Sequence, residues 1–360
     1  MSKLTPQPGI MDIKLYVGGE SAVAGKTDVL KLSANENPYG FSDAARAAYT
    51  RAVQNLHRYP NTDHAPLRRA IAEVYDLDPD RIVCGVGSDE VLQFVAQAYA
   101  GVGDEVIVTQ YGFAMYPILA RAVGATPVEV PEKNRTVDVD AILAAVTEKT
   151  KIVFIANPAN PTGTMLDRGE VLRLIAGLPE TVILVLDGAY TEFAADYNGG
   201  SDLTDDYPNV IMTRTFSKIY GLGGLRVGWG YAQQDMINVL LRLRQPFNLS
   251  EPQMEAAAAA VRDLEFTRKC QVENAKWRDW LRNALVQMGV GCDESHANFV
   301  LARFETPEQA AACNAALNAD GIIVRPVGSY GLPQCLRITV GDESACRRIV
   351  HVIATFKGVR

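Results

Sequence analysis

Thr215-Phe-Ser-Lys218-Ile-Tyr-Gly-Leu-Gly-Gly-Leu-Arg226-Val-Gly-Trp229 sets one lysine beside two hydroxyls, with an arginine eight residues on and glycines between them. A lysine that is to form an imine with an aldehyde-bearing ligand needs such surroundings. The hydroxyls of Thr215 and Ser217 and the Arg226 guanidinium can hold a phosphate, and the glycines let backbone pass close to a bound group. Two upstream segments carry related chemistry: Asn157-Pro-Ala-Asn160-Pro-Thr-Gly163 and Leu186-Asp187-Gly-Ala-Tyr190. Asn160, Asp187 and Lys218 each follow a short apolar run, and they lie 27 and 31 residues apart, about one βα unit each. In open parallel sheets ligands bind beyond the carboxyl ends of the strands. The three residues are therefore expected to meet in one crevice.

The chain around them alternates apolar runs with amphipathic stretches. Expected strands are Arg81–Cys84, Glu105–Thr109, Thr126–Val130, Lys151–Ala156, Val182–Leu186, Val210–Thr213 and Gly228–Tyr231, several of them near-continuous β-branched runs of the kind buried on both faces. Helical patterns lie between, as in Glu90–Ala100, Asp140–Val146 and Arg168–Ala176. This alternation predicts an α/β fold whose mostly parallel sheet is flanked by helices. From Ser250 the texture changes. Helices are expected at Glu251–Asp263, Phe266–Met288, Pro307–Asn318 and Glu343–Lys357, with shorter strands at Asn298–Arg303, Ile322–Arg325 and Cys335–Val340. The expected division is a large domain over 40–249 and a smaller α+β domain over 250–360, onto which an N-terminal arm of 1–39 packs.

Bulk properties exclude several classes. The 360 residues suffice for two cores, and a net charge of −7 gives no reason to expect nucleic acid as a partner. Six cysteines without a CxxC pair read as buried free thiols of a reducing compartment. The four histidines include no pair at metal-ligand spacing, so no metal site is expected. Met1–Ile10 has no apolar core of a signal peptide, and no run reaches the ~18 to 20 apolar residues of a membrane span. A cytoplasmic protein without membrane partners is expected.

Together the three opening segments resemble the pyridoxal 5′-phosphate (PLP) site of the fold-type-I aminotransferases. The resemblance implies roles with physical reasons behind them. Lys218, Asp187 and Tyr190 are the catalytic candidates. A buried carboxylate keeps a pyridine nitrogen protonated as an electron sink, which suits Asp187. Asn160 and Tyr190 suit donors to the ring's phenolic oxygen. Asn160 by itself would be a turn residue, since Asn-Pro-Thr-Gly is good turn chemistry. The phosphate would lie on Gly87, Ser88 and Asp89, where Gly85-Val-Gly-Ser-Asp-Glu90 follows a strand and opens a helix with free N–H groups, together with Thr215, Ser217 and Arg226. In Tyr111-Gly-Phe113-Ala-Met-Tyr116, Phe113 is the candidate to cover the ring, with Tyr111 as the alternative.

Further segments resemble the histidinol-phosphate aminotransferase class within that group, and the likeness runs over nearly the whole chain. They are Lys31-Leu-Ser-Ala-Asn-Glu-Asn37-Pro-Tyr-Gly40, Arg58-Tyr59-Pro60, Arg244-Gln-Pro-Phe-Asn248, Ala297-Asn-Phe-Val-Leu301, Gly321-Ile-Ile-Val-Arg325-Pro326 and Leu336-Arg337-Ile-Thr-Val-Gly341. This likeness implies transfer of an amino group between L-histidinol phosphate and 2-oxoglutarate. One donor carries a phosphate and the other a carboxylate, and a guanidinium forks onto either. Arg337 is the expected shared anchor and Arg325 its helper on phosphate, with Tyr16 closing over the substrate. Tyr59 would reach the cofactor phosphate of a neighbouring subunit, which implies a homodimer with shared sites. The chain departs from the family at Gly112 before the stacking aromatic, at Gly188 after the aspartate, and at Tyr39. Other readings are an aromatic-amino-acid aminotransferase and a PLP-dependent decarboxylase of a phosphorylated amino acid. A PLP-binding regulator would carry a basic helix-turn-helix extension before the core, and no such pattern is seen here.

Overall fold

The computed structural model describes residues 5–16, 18–23 and 25–359. Met1–Leu4 of the arm, and Val17 beside Tyr16, lie outside the described residues. The apolar runs between residues 82 and 231 form one seven-stranded sheet. Its strands are β1 (Ile82–Gly85), β2 (Glu105–Thr109), β3 (Thr126–Val130), β4 (Thr150–Ala156), β5 (Ile183–Asp187), β6 (Val210–Thr215) and β7 (Gly228–Tyr231), in the order β1-β7-β6-β5-β4-β2-β3. Six run parallel, and β7 lies antiparallel between β1 and β6. β1, β5, β6 and β7 are buried along their whole length, because helices cover both faces of the sheet. One apolar layer holds Val91, Val95, Phe154 and Ile211, and another holds Ile107, Ile155, Leu174 and Leu184.

The carboxyl ends of the six parallel strands share one edge of this sheet. Gly85, Thr109, Ala156, Asp187 and Thr215 are the last residues of β1, β2, β4, β5 and β6. Every candidate ligand of the opening segments follows one of these ends.

The second half builds a four-stranded antiparallel sheet, β8 (Gly291–Cys292), β9 (Phe299–Arg303), β10 (Arg325–Val327) and β11 (Leu332–Thr339), in the order β8-β9-β11-β10. The helices Pro307–Ala319 and Glu343–Lys357 bury Cys313, Leu317, Ile349 and Ile353 in its core.

Three expectations change. The run Ile322–Arg325 is not one strand. Ile322–Ile323 pairs parallel with Leu30–Lys31, and Arg325 begins β10 in a different sheet. The N-terminal arm does not pack on the small body alone. Leu30–Lys31 does so, but Asp12, Lys14, Leu15 and Tyr16 lie along a cleft with Thr109, Pro117 and Arg121 of the large body. Finally, the helix Glu251–Arg262 packs against the helices Asp43–Ala52 and Ala65–Tyr75. Its Met254, Ala257 and Val261 share a core with Leu67, Ile71 and Trp229. The next helix, Leu264–Gln287, carries Cys270 in that same core and Trp277, Leu281 and Leu285 in the small one. We propose that the division falls inside this helix rather than at residue 250. Apolar contact decides it, and a change of sequence texture does not.

Candidate active site

The lysine loop is held by its neighbours. Phe216, Ile219 and Tyr220 flank Lys218 and are buried, while Phe216 N–H donates to Val227 O at 2.9 Å and Gly221 N–H to Lys218 O at 3.0 Å. The chain thus turns back onto β7 and brings Arg226 beside Ser217. Lys218 Nζ lies 3.4 Å from Ala34 O and 5.7 Å from the centre of the Tyr190 ring. Burial, and next the charge of Arg337, bring its pKa from 10.5 down to about 8; Asp89 opposes this and Arg226 adds to it.

Asp187 closes β5 and is 4% exposed. Tyr116 Oη donates to its Oδ2 at 2.8 Å, Ala189 N–H to Oδ1 at 3.2 Å and Thr213 Oγ1 to Oδ1 at 3.4 Å. Among the described residues no cation pairs with it, and burial pushes its pKa up to about 6 despite the Tyr116 hydrogen bond. Tyr190, also buried, accepts a 2.8 Å hydrogen bond from Asn35 Nδ2.

Arg337, on β11, is the converse case. It is 6% exposed, and burial lowers its pKa. Its Nη1 donates to Asn160 Oδ1 and its Nη2 to Ser33 O at 2.8 Å, while Nε has no partner. Among the described residues no carboxylate answers its charge. A buried acid without a cation and a buried guanidinium without an anion line the same cavity.

That cavity measures about 280 Å³ and also takes in Lys218, Asn160, Tyr190, Phe113 and Tyr16. Beyond the strand ends its floor is the start of the helix Ser88–Tyr99. Gly87, at φ +77°, precedes that helix, and a Cβ there would stand 2.4 Å from Arg226 Nη2. A Cβ on Gly228 would stand 2.1 Å from Ser88 N. Both glycines keep the helix N-terminus close to β7 with its first N–H groups open to an anion. Arg226 Nη1 donates to Ser217 Oγ at 3.0 Å, and Ser217 N–H donates to Thr215 Oγ1 at 3.1 Å.

This arrangement fits PLP. The glycine cradle, two hydroxyls and a guanidinium match its phosphate, the uncompensated Asp187 matches a protonated ring nitrogen, and the depressed Lys218 amine matches its aldehyde. Asp89 is expected to meet the phosphate through its free N–H at the helix start, and its side chain is engaged elsewhere. Its carboxylate is paired with Arg226 Nη2 at 3.0 Å, so only its backbone N–H is available to an anion.

The other expected residues are distributed as follows. Phe113 lines the cavity edge-on to Tyr16, with ring centres 6.5 Å apart. Tyr111 instead packs against Leu301, Val327, Leu332 and Cys335, away from the cavity lining. Arg325 lines the cavity and donates from Nη1 to Gly18 O. Tyr59 is 83% exposed and does not line its own chain's cavity. Sequence reasoning missed Tyr116, Asn35 and Tyr330. Tyr116 and Asn35 stood inside quoted segments, and their contacts to Asp187 and Tyr190 needed the fold. Tyr330, 7% exposed and lining the cavity, follows no motif.

Comparison with known proteins agrees with this geometry. The model of the family "aminotransferase class I and II" matches residues 27–353. The chain is 61% identical over 360 residues to a histidinol-phosphate aminotransferase of Ruegeria pomeroyi, covering all of both chains. It is 60% identical over 357 residues to one of Dinoroseobacter shibae, covering 99% of each. The crystal structure of a histidinol-phosphate aminotransferase from Sinorhizobium meliloti in complex with PLP superposes with a TM-score of 0.91 at 27% identity, over 99% of this chain and 98% of the other.

Proposed function

The chain belongs to the class I and II aminotransferase family, and from that premise we propose that it moves an amino group between L-histidinol phosphate and 2-oxoglutarate with PLP as cofactor. The products are imidazole acetol phosphate and L-glutamate, a step of L-histidine biosynthesis. The observation that carries the reading is the pair of opposite, uncompensated buried charges, Asp187 and Arg337, on one cavity with a lysine of lowered pKa.

When bound, PLP supplies an aldehyde carbon for exchange of amines and a protonated ring that accepts the electrons of a breaking Cα–H bond. The chain's own residues do the rest. Asp187 holds the positive charge at the ring nitrogen, and Tyr116 and Thr213 fix its two oxygens. Lys218 Nζ, neutral in a useful fraction near pH 8, takes the proton from the donor's Cα. Asn160 and Tyr190 orient the ring plane through its phenolic oxygen. Gly87, Ser88, Thr215, Ser217 and Arg226 anchor the phosphate. Arg337 is held in one plane by Asn160 and Ser33 and presents a fork that accepts either the glutamate carboxylate or the phosphate of the other donor, with Arg325 beside it. Tyr16, Phe113 and Tyr330 shield the mouth from water.

Tyr59 belongs to a second site. It packs against Phe247 at 4.6 Å between ring centres, the rings tilted by 32°, and both side chains are exposed. A twofold dimer that covers this surface and hands Tyr59 to the partner's phosphate accounts for both its exposure and its absence from its own cavity. No helix among the described residues is long and apolar enough to cross a membrane, and the substrates are small molecules.

Paired steady-state assays test the reading, with 2-oxoglutarate as acceptor and L-histidinol phosphate or L-phenylalanine as donor. A kcat/KM at least about a hundredfold higher for histidinol phosphate is expected, since the phosphate adds a charge-assisted contact that phenylalanine lacks. Equal or reversed values would overturn the substrate assignment and leave a broad aromatic aminotransferase.

A further inference from the structure

The segment joining the helices Gln234–Leu243 and Glu251–Arg262 touches two parts of the molecule with different duties. On one side it grips the loop that carries Tyr59. Arg244 Nη2 donates to Thr62 O, Arg244 Nη1 lies 3.1 Å from His64 Nε2, and the Phe247 ring packs against Tyr59 at a tilt. His64 is buried in a left-handed conformation at φ +53°, with its pKa drawn down to about 4 by burial and by Arg244, so its neutral ring can accept from the guanidinium. On the other side the segment grips the phosphate cradle. Asn248 Oδ1 accepts from Arg244 Nη1 at 3.1 Å, and Asn248 Nδ2 donates to Glu90 Oε2 at 2.7 Å. The same Glu90 oxygen accepts from Val86 N–H at 2.7 Å, inside the turn that leads into Gly87 and Ser88. A continuous chain therefore runs from the Tyr59 loop through His64, Arg244, Asn248 and Glu90 to the backbone of the phosphate turn.

We propose that Arg244 and Asn248 are positioning residues that lock the phosphate cradle of one subunit to the loop which that subunit lends to its partner. The inference rests on the reading of Tyr59 as a ligand of the partner's cofactor phosphate. None of the linking side chains lines the cavity. Asn248 acts at its own site through Glu90 and Val86 N–H, and at the partner's site through Arg244, the Thr62 carbonyl and the His64 ring. Three contacts with the lent loop, two polar and one aromatic, leave it little freedom to swing while it waits for the partner's phosphate. The network also holds Glu90, an acid in the first turn of the helix Ser88–Tyr99, outside the cavity lining. Its Oε2 is turned back onto Val86 N–H and Asn248.

The test is a double-mutant cycle on PLP loading of the full-length dimer, followed by cofactor absorbance, with Tyr59→Phe, Asn248→Ala and the pair. Asn248→Ala is expected to weaken loading about tenfold in the native background and about threefold or less beside Tyr59→Phe, because its effect through the lent loop then has no hydroxyl to place. Equal losses in both backgrounds, or no loss at all, would overturn the coupling. Loading unchanged by Tyr59→Phe alone would instead overturn the shared-site reading, a separate result. Arg244→Lys, which keeps the charge but not the fork onto Thr62, His64 and Asn248, repeats the cycle should Asn248→Ala fail to fold, and is judged by the same outcomes. Sedimentation of each variant confirms that the dimer persists.

Discussion

Lys218 is legible in the sequence as a candidate because imine chemistry admits few residue types and candidate phosphate ligands sit beside it in the chain. Its pKa of about 8 is not, since burial and Arg337 produce it and Arg337 lies 119 residues away. The sign gives a prediction. A lysine with a lowered pKa is neutral above about 8, so the rate at which the cofactor-free protein captures PLP should rise with pH and level off above that value. Arg337→Met removes a positive charge that disfavours the ammonium, so the midpoint should move up, by roughly half to one unit. Stopped-flow absorbance at a series of pH values measures both. A midpoint near 10.5 in the native protein, or one that falls in the variant, would contradict the assignment of burial and Arg337 as causes.

Elements were read more reliably than their partners. The seven strands of the large sheet were expected within a residue or two, because β-branched runs buried on both faces have few alternatives. The helices Asp43–Ala52, Ala65–Tyr75, Met115–Ala122 and Gln234–Leu243 were not marked, although Tyr116 on the third of them anchors Asp187. β6 shows what alternation does with one strand: Thr213 and Thr215 reach Asp187 and the cavity, while Arg214 turns to the other face and meets Glu192 in a buried pair at 3.5 Å. The close approach of β7 to the helix Ser88–Tyr99 has a sharper consequence. Gly228→Ala would place a methyl 2.1 Å from Ser88 N, and the atoms it meets are backbone that cannot rotate aside. The cradle must shift, so PLP affinity should fall by at least about tenfold while the fold is weakened by about 1–3 kcal/mol. Cofactor titration and thermal unfolding of the variant check the two effects, and native affinity would show that the cradle tolerates the shift.

At the scale of the molecule, the site is assembled from both bodies and, in the proposed dimer, from two chains. Ser33, Asn35, Arg325, Tyr330 and Arg337 come to the cavity from the arm and the small body, and the PLP cradle comes from the large one. The shared site gives a complementation prediction. Mixed dimers of a Lys218→Ala chain and a Tyr59→Phe chain contain one site with an intact lysine and, from the partner, an intact Tyr59. Refolding or coexpressing the two should give mixed dimers whose intact-lysine site binds PLP with native affinity, unlike the Tyr59→Phe homodimer. If Tyr59 served its own chain, no such site would form, and tight binding would not return.

The sequence by itself determined the α/β class, the strands of the large sheet, and that Asn160, Asp187, Thr215, Ser217, Lys218 and Arg226 meet at one cavity. Those are set by local patterns of hydrophobicity and by chemistry that tolerates few substitutes. Tertiary structure alone decided that Ile322–Arg325 divides between two sheets, that the helix Glu251–Arg262 shares a core with Leu67, Ile71 and Trp229, and that Phe113 rather than Tyr111 lines the cavity. It also decided that Asp187 and Arg337 are left with uncompensated charge. Each of these depends on contacts between segments far apart in the chain, and burial, which sets both packing partners and pKa values, exists only once those segments have met.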